Sequence, residues 1–268
     1  ISVGGEDPYM LKYLRAGCLM AKVGKNLIVH GGLSDNNIGT VPGDDKIRES
    51  VDDWMKDLNQ FVQNELDDYE SQPTWKELPD SETGRGNRGG DGLMDYGVPG
   101  GNNDKTVVYC TFLSNGNAKP LSNPVVEYCE KNNIHRVLAG HTPHGDCPTV
   151  IAEKVQVILV DTSYSDMSKP DNRGDAVSEL ILNEEDETVL VHGQLKDGRQ
   201  IEYELAPPGS VKGDHLVGKQ LADDYWVKSE LKETPEDGKK YMICKGEGYK
   251  LSVDWKTTEE IASTLLHF

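Results

Sequence analysis

The chain has 268 residues, enough for one sizeable α/β domain with an appendage or for two small domains. Hydrophobic residues make up 36% and aromatics 7%, a lean but adequate supply for a globular core. A formal net charge of −18 argues against nucleic acid or an anionic membrane as partner, because a polyanion is repelled over long range, while a phosphoester substrate stays admissible if divalent cations and a few arginines reverse the sign locally.

The five cysteines (Cys18, Cys110, Cys129, Cys147 and Cys244) are scattered, odd in number and without a C-x-x-C pair. That pattern points to reduced thiols and an intracellular, cytoplasmic setting. No run reaches the apolar length of a membrane span, and no signal-peptide pattern is present. In chain order, residues 8–17 carry apolar residues at helical spacing and stop on Gly17. LIVHGG at 27–32 reads as a short buried strand running into a loop. Residues 44–69 read as a long acidic helix with Ile47, Val51, Trp54, Leu58, Phe61, Val62 and Leu66 on one side. Residues 70–105 lose periodicity and read as a long Gly/Asn/Pro-rich loop, of the kind that is usually functional or disordered.

Strands are expected at TVVYCTFL (106–113), HRVLAGH (135–141) and KVQVILVDTSYS (154–165), with a helix opening at Asn123 and Pro124 between the first two. SELILN, ETVLVHGQL and RQIEYEL, between 178 and 205, predict a meander with a hairpin turn at Asp197–Gly198. Residues 206–217 read as a linker. Three further strands follow in YWVKSELK, KKYMICKG and YKLSVDW, and Thr257-x-x-Glu260 has capping-box spacing before a short last helix. The alternation favours an α/β layered sheet with a small β-rich module at 218–268.

Two stretches carry chemistry. His30 ends an apolar strand and precedes Gly31 and Gly32, whose missing Cβ atoms leave room for a metal or phosphate to approach the backbone. The same architecture returns at VLAGHTPHGD: strand, Gly140, His141, then a Pro/Gly loop. Two strand-end histidines in one α/β chain suggest convergence at one edge of a sheet.

These motifs resemble those of the calcineurin-like metallophosphoesterases, especially the phosphoprotein-phosphatase branch and its Shewanella-like relatives, over roughly residues 20–185. The resemblance implies that His30 and His141 bind one metal of a dinuclear site, with Gly31, Gly32, Gly140 and Thr142 shaping the loops. It also implies two divalent ions (Mn, Fe or Zn), phosphomonoester hydrolysis, and a phosphorylated protein or small phosphoester as substrate. The fold implied is the C-terminal half of a metallophosphoesterase-type β-sandwich flanked by helices, occupying residues 1–205. Three further family motifs, G-D-x-H-G, G-D-x-x-D-R-G and G-N-H-E, are absent, and the chain begins with Ile1. A C-terminal fragment lacking the first-metal ligands, and a poor catalyst alone, is therefore the expectation.

Other residues admit competing readings. His144 could be a displaced ligand, a hydrogen-bond partner of the site, a catalytic or substrate contact, or a solvent-facing loop residue. His141-x-x-His144-x-x-Cys147, completed by Asp146 or Cys110, could seed a zinc site. Asp161 could orient His141 or His30 through a ring nitrogen, or only tie a turn with Thr162. Arg173, Arg85 and Arg88 are candidate phosphate clamps, or solvated surface arginines. His192 reads as a structural hairpin residue. The rival to a phosphoesterase is a non-catalytic binding or scaffold protein on the same fold.

Overall fold

The computed structural model describes residues 8–74, 88–162, 174–210, 215–232 and 238–265. The chain divides into two compact units, one of residues 1–21 and 29–110 and the other of residues 22–28 and 111–268. Both are considered separately below. The architecture is mixed α/β, with five α-helices and several sheets among the described residues. Among the described residues no helix is long and apolar enough to cross a membrane.

The first unit is organised by helices. α1 (Tyr9–Ala16) ends on Gly17 as its spacing predicts. α2 (Val51–Ser71) starts later than the sequence suggests, at a Ser50 cap whose side chain accepts from the Asp53 N–H; Asp52 and Asp53 complement the helix dipole in the first turn. Its buried stripe is Val51, Trp54, Leu58, Val62 and Leu66. Ile47 precedes the helix and is 55% exposed, while Phe61 meets the Tyr96 ring edge-on at 5.9 Å.

The expected loop at 70–105 is not wholly irregular. It contains α3 (Asp91–Gly97), whose free N-terminal amides are met by carboxylates of α2. Asp68 Oδ2 accepts from Gly90 N–H at 2.9 Å and Glu65 Oε2 from Leu93 N–H at 3.1 Å. Glycine and asparagine hide such a helix from periodicity, since its capping groups lie about 25 residues upstream. Residues 75–87 of that loop lie outside the described residues.

The main sheet has five strands: β1 (Met20–Val23), β2 (Asn26–Val29), β5 (Arg136–Ala139), β6 (Thr149–Ile151) and β7 (Gln156–Leu159), in the order β1-β2-β5-β7-β6. β2, β5 and β7 run parallel, with Ile28 opposite Leu138 and Leu138 opposite Ile158. β6 pairs antiparallel with β7; three residues are too few for its sequence to announce it. A small hairpin, β3 (Leu113–Ser114) with β4 (Asn117–Ala118), is all that forms of the strand expected at 106–113. There the Thr106 carbonyl and hydroxyl take the amides of Cys110 (3.1 Å) and Tyr109 (3.0 Å) and coil the chain. α4 (Asn123–Lys131) carries Pro124 in its first turn and buries Val125 and Cys129.

Two antiparallel meanders follow: β8 (Val177–Leu182), β9 (Val189–Gln194) and β10 (Gln200–Leu205), then β11 (Trp226–Glu230), β12 (Lys240–Glu247) and β13 (Lys250–Thr257). α5 (Thr258–Ala262) opens on a complete Thr257/Glu260 capping box. The β11–β13 meander and α5 follow the order expected for 218–268, and their buried side chains join a core shared with the rest of the second unit. Val227, Tyr241, Ile243 and Ile261 share one cluster with Leu138, Val150 and Ile158 of the main sheet and Val189, Val191, Tyr203 and Leu205 of the first meander. A three-stranded meander has too little apolar area to bury its face alone, so it shares a core across the connection at 206–217.

Candidate functional site

The parallel strands β2, β5 and β7 each hand over at their carboxyl ends to a residue singled out in the sequence. Val29 leads to His30, Ala139 and Gly140 to His141, and Val160 to Asp161. The β5–β7 pairing persists to the last of these, since Val160 N–H donates to Ala139 O at 2.8 Å. The carboxyl edge of parallel strands is where α/β sheets place ligands, because the strands end there and their loops diverge. His30 belongs to the first unit and His141 and Asp161 to the second.

His30 is exposed, and Gly31 and Gly32 behind it are buried. Gly31 N–H donates to Val107 O at 2.7 Å, and a Cβ on Gly31 would collide with the carbonyls of Val108 and Cys110. The glycine is therefore required by the chain packed on it, which replaces the expectation that it leaves space for a ligand. Asn37 fixes the loop. Fully buried, it donates from Nδ2 to Gly32 O and Thr106 O, each at 3.2 Å, and accepts Ser34 N–H at 2.9 Å. Its place in a polar turn run, SDNNIG, gave no reason to single it out. Thr106 also lines a cleft of about 620 Å³ of mixed polar and apolar lining, with Thr40, Asp95 and Lys105 beside Val41, Tyr96 and Pro99.

His141 is half-buried and has φ of 67°. Thr142 N–H donates to Gly140 O at 2.8 Å, so His141 is the centre of a γ-turn in the left-handed region. Strain of about 1–3 kcal/mol at a non-glycine residue persists only where surroundings enforce it, and it gathers at functional sites. Asp161 is half-buried. Its neighbour Thr162 ties the turn: Oγ1 donates to Ala176 O at 3.3 Å and its carbonyl accepts Gly174 N–H at 2.7 Å.

His144, three residues beyond His141, is 1% exposed and has both ring nitrogens engaged. Nε2 lies 3.0 Å from Gly116 O and Nδ1 lies 2.8 Å from Thr149 Oγ1. A carbonyl can only accept, so Nε2 carries the proton, Nδ1 accepts from the Thr149 hydroxyl, and Thr149 Oγ1 accepts in turn from buried Lys228. Lys228 Nζ donates also to His144 O. Burial, seconded by Lys228, pushes the imidazole pKa down to about 3, so it stays neutral. The same burial holds the Lys228 amine below its ordinary value and raises the Cys147 thiol to about 12. His144 is thus a core polar residue, and neither a displaced ligand, a catalytic group nor part of a zinc site fits it. Lys228 escaped notice because alternation along WVKSE suggests a solvent face, whereas β11 is covered on both sides.

Arg88 lies over the Tyr69 ring at 5.3 Å and reaches Met94 Sδ at 3.3 Å, a packing role between α2 and α3. Arg85 and Arg173 lie outside the described residues. His192 on β9 pairs with Glu179, its register partner on β8, at 2.9 Å. His135 bonds Glu187 at 2.7 Å, which also pairs with Lys25 at 2.6 Å. Among the described residues no group of three or more His, Cys, Asp or Glu side chains is placed to hold a metal. No family model, curated protein or solved structure matches the chain.

Proposed function

We propose that this chain carries part of a metal-dependent phosphoesterase site acting on phosphomonoesters, with a phosphorylated protein or small phosphoester as substrate. One observation carries the reading. The two motifs H-G-G and G-H-T-P follow the carboxyl ends of strands β2 and β5, which are parallel neighbours in register. The donors suit the ion, since imidazole is a ligand for Mn, Fe or Zn, and the His141 backbone is fixed by its γ-turn. The set is incomplete, because G-D-x-H-G, G-D-x-x-D-R-G and G-N-H-E do not occur between Ile1 and Phe268. The resemblance implies that His30 and His141 would be ligands of one divalent ion, with Asp161 the carboxylate that would orient a ligand imidazole. Bound divalent ions supply Lewis-acid polarisation of the phosphoryl group.

A non-catalytic binding protein on the same fold is the second reading, favoured by the same missing motifs. Calorimetric titration with Mn²⁺ and Zn²⁺, followed by an assay with p-nitrophenyl phosphate, separates them. The phosphoesterase reading expects weak metal binding that falls about 10–100-fold in His30→Ala and again in His141→Ala, with little turnover. Metal binding indifferent to both substitutions ends it.

A further inference from the structure

The amino-terminal edge of the same parallel strands carries a second polar assembly, confined to the second unit. Asn26, Arg136 and Gln156 open β2, β5 and β7, stand opposite one another in register, and are all buried. Arg136 is 1% exposed; its Nε donates to Gln156 Oε1 at 2.6 Å, and its Nη2 has no hydrogen-bond partner. A buried guanidinium donor left unsatisfied is costly and calls for an acceptor. Asn26 Oδ1 beside it is also unsatisfied, so the row retains polar capacity that its own members do not use.

Gln156 is also in the wall of a cleft of about 420 Å³, and so stands between the buried guanidinium and that cavity. Lys154, Lys219 and His215 line the same cleft, with Glu153 as the one carboxylate among its described lining residues. Among the described residues neither lysine nor His215 forms an ion pair. In a chain of net charge −18, two lysines and a histidine around one cavity, without an ion pair among the described residues and backed by a buried arginine, are a local reversal of sign. Pro207 and Pro208 form part of the wall and limit its mobility. The volume falls within the roughly 300–1,000 Å³ of small-ligand sites.

We infer that this cleft is a binding site for a small, multiply charged anion of the phosphate or polyphosphate type, held by Lys154 and Lys219 at the rim and by Gln156 on the wall. The site does not depend on the proposed metal chemistry. It lies at the opposite edge of β5 and β7 from His141 and Asp161. Lysine supplies the point charges, and Gln156, held through Oε1, has its amide group left to donate.

The test is calorimetric titration of the whole chain with inorganic pyrophosphate in the presence of a metal chelator. Three proteins are compared: wild type, the Lys154→Ala/Lys219→Ala double variant and His141→Ala. Both lysines are exposed, so the double variant should keep the wild-type circular dichroism spectrum and melting temperature. Saturable binding is expected in the millimolar range or tighter, weakened by added salt, unchanged in His141→Ala and at least about tenfold weaker in the double variant. Gln156→Leu, a second variant that keeps both charges, should also weaken binding. Absence of saturable binding overturns the inference. Binding that survives the double variant, or that is lost in His141→Ala, overturns it as well, because the anion then sits elsewhere.

Discussion

His141 and His144 are three residues apart in one loop and have opposite surroundings. His141 is half-exposed and fixed in a γ-turn with a positive φ. His144 is buried, neutral and joined through both nitrogens to Gly116, Thr149 and, through them, Lys228. The first is held at some conformational cost and is only partly covered. The second contributes to folding and has no coordination left to offer. At His144 both ring nitrogens are already bonded, which motif proximity alone does not show.

Stability separates the two most sharply. Replacing His144 by Ala removes both ring bonds, leaves the Thr149 hydroxyl and the Gly116 carbonyl without their partner and opens a cavity, a cost of about 3–5 kcal/mol in urea unfolding. His141→Ala should change stability by less than about 1 kcal/mol. Equal losses in the two variants would erase the distinction. Asn37→Ala comes next, at about 2–3 kcal/mol, because the Gly32 and Thr106 carbonyls and the Ser34 amide all lose their buried partner.

Acid sharpens the contrast further. The folded-state pKa of His144 lies below its unfolded value of 6.5, at about 3, so its stabilising contribution is complete above pH 6.5 and is lost as pH falls through that interval. Between neutral pH and pH ~4.5, wild type should lose roughly 2–3 kcal/mol more than His144→Gln, a variant that cannot take up the proton. Identical pH profiles would show that His144 is not held neutral. The smallest effect is a gain: His141→Gly should stabilise by about 0.5–1 kcal/mol, because glycine occupies the left-handed region without strain. A loss there would contradict the strained turn.

The comparison also shows what the sequence could tell. Strand ends at His30 and His141 were legible because an apolar run followed by Gly marks where a buried parallel strand stops. The α2 stripe was legible from its period, and the Thr257/Glu260 box from its spacing. Interactions between distant segments were not. Nothing near Gly31 in sequence announces Val108 packing on it, and nothing near Thr149 announces Lys228, which lies 79 residues away. The strand expected at 106–113 fails for the same reason, because the Thr106 hydroxyl takes the Tyr109 amide and coils the chain, and the core that the last meander shares with the main sheet is equally invisible in its own sequence.

The central claim is that His30 and His141 bind one ion. Pulsed electron-spin-echo spectroscopy of the Mn²⁺-loaded chain tests it most directly, since it detects histidine nitrogens coupled to a single metal. The account predicts two such nitrogens in wild type and one in each of His30→Ala and His141→Ala, with His144→Gln unchanged. A wild-type spectrum without histidine coupling, or one that neither substitution alters, would contradict it.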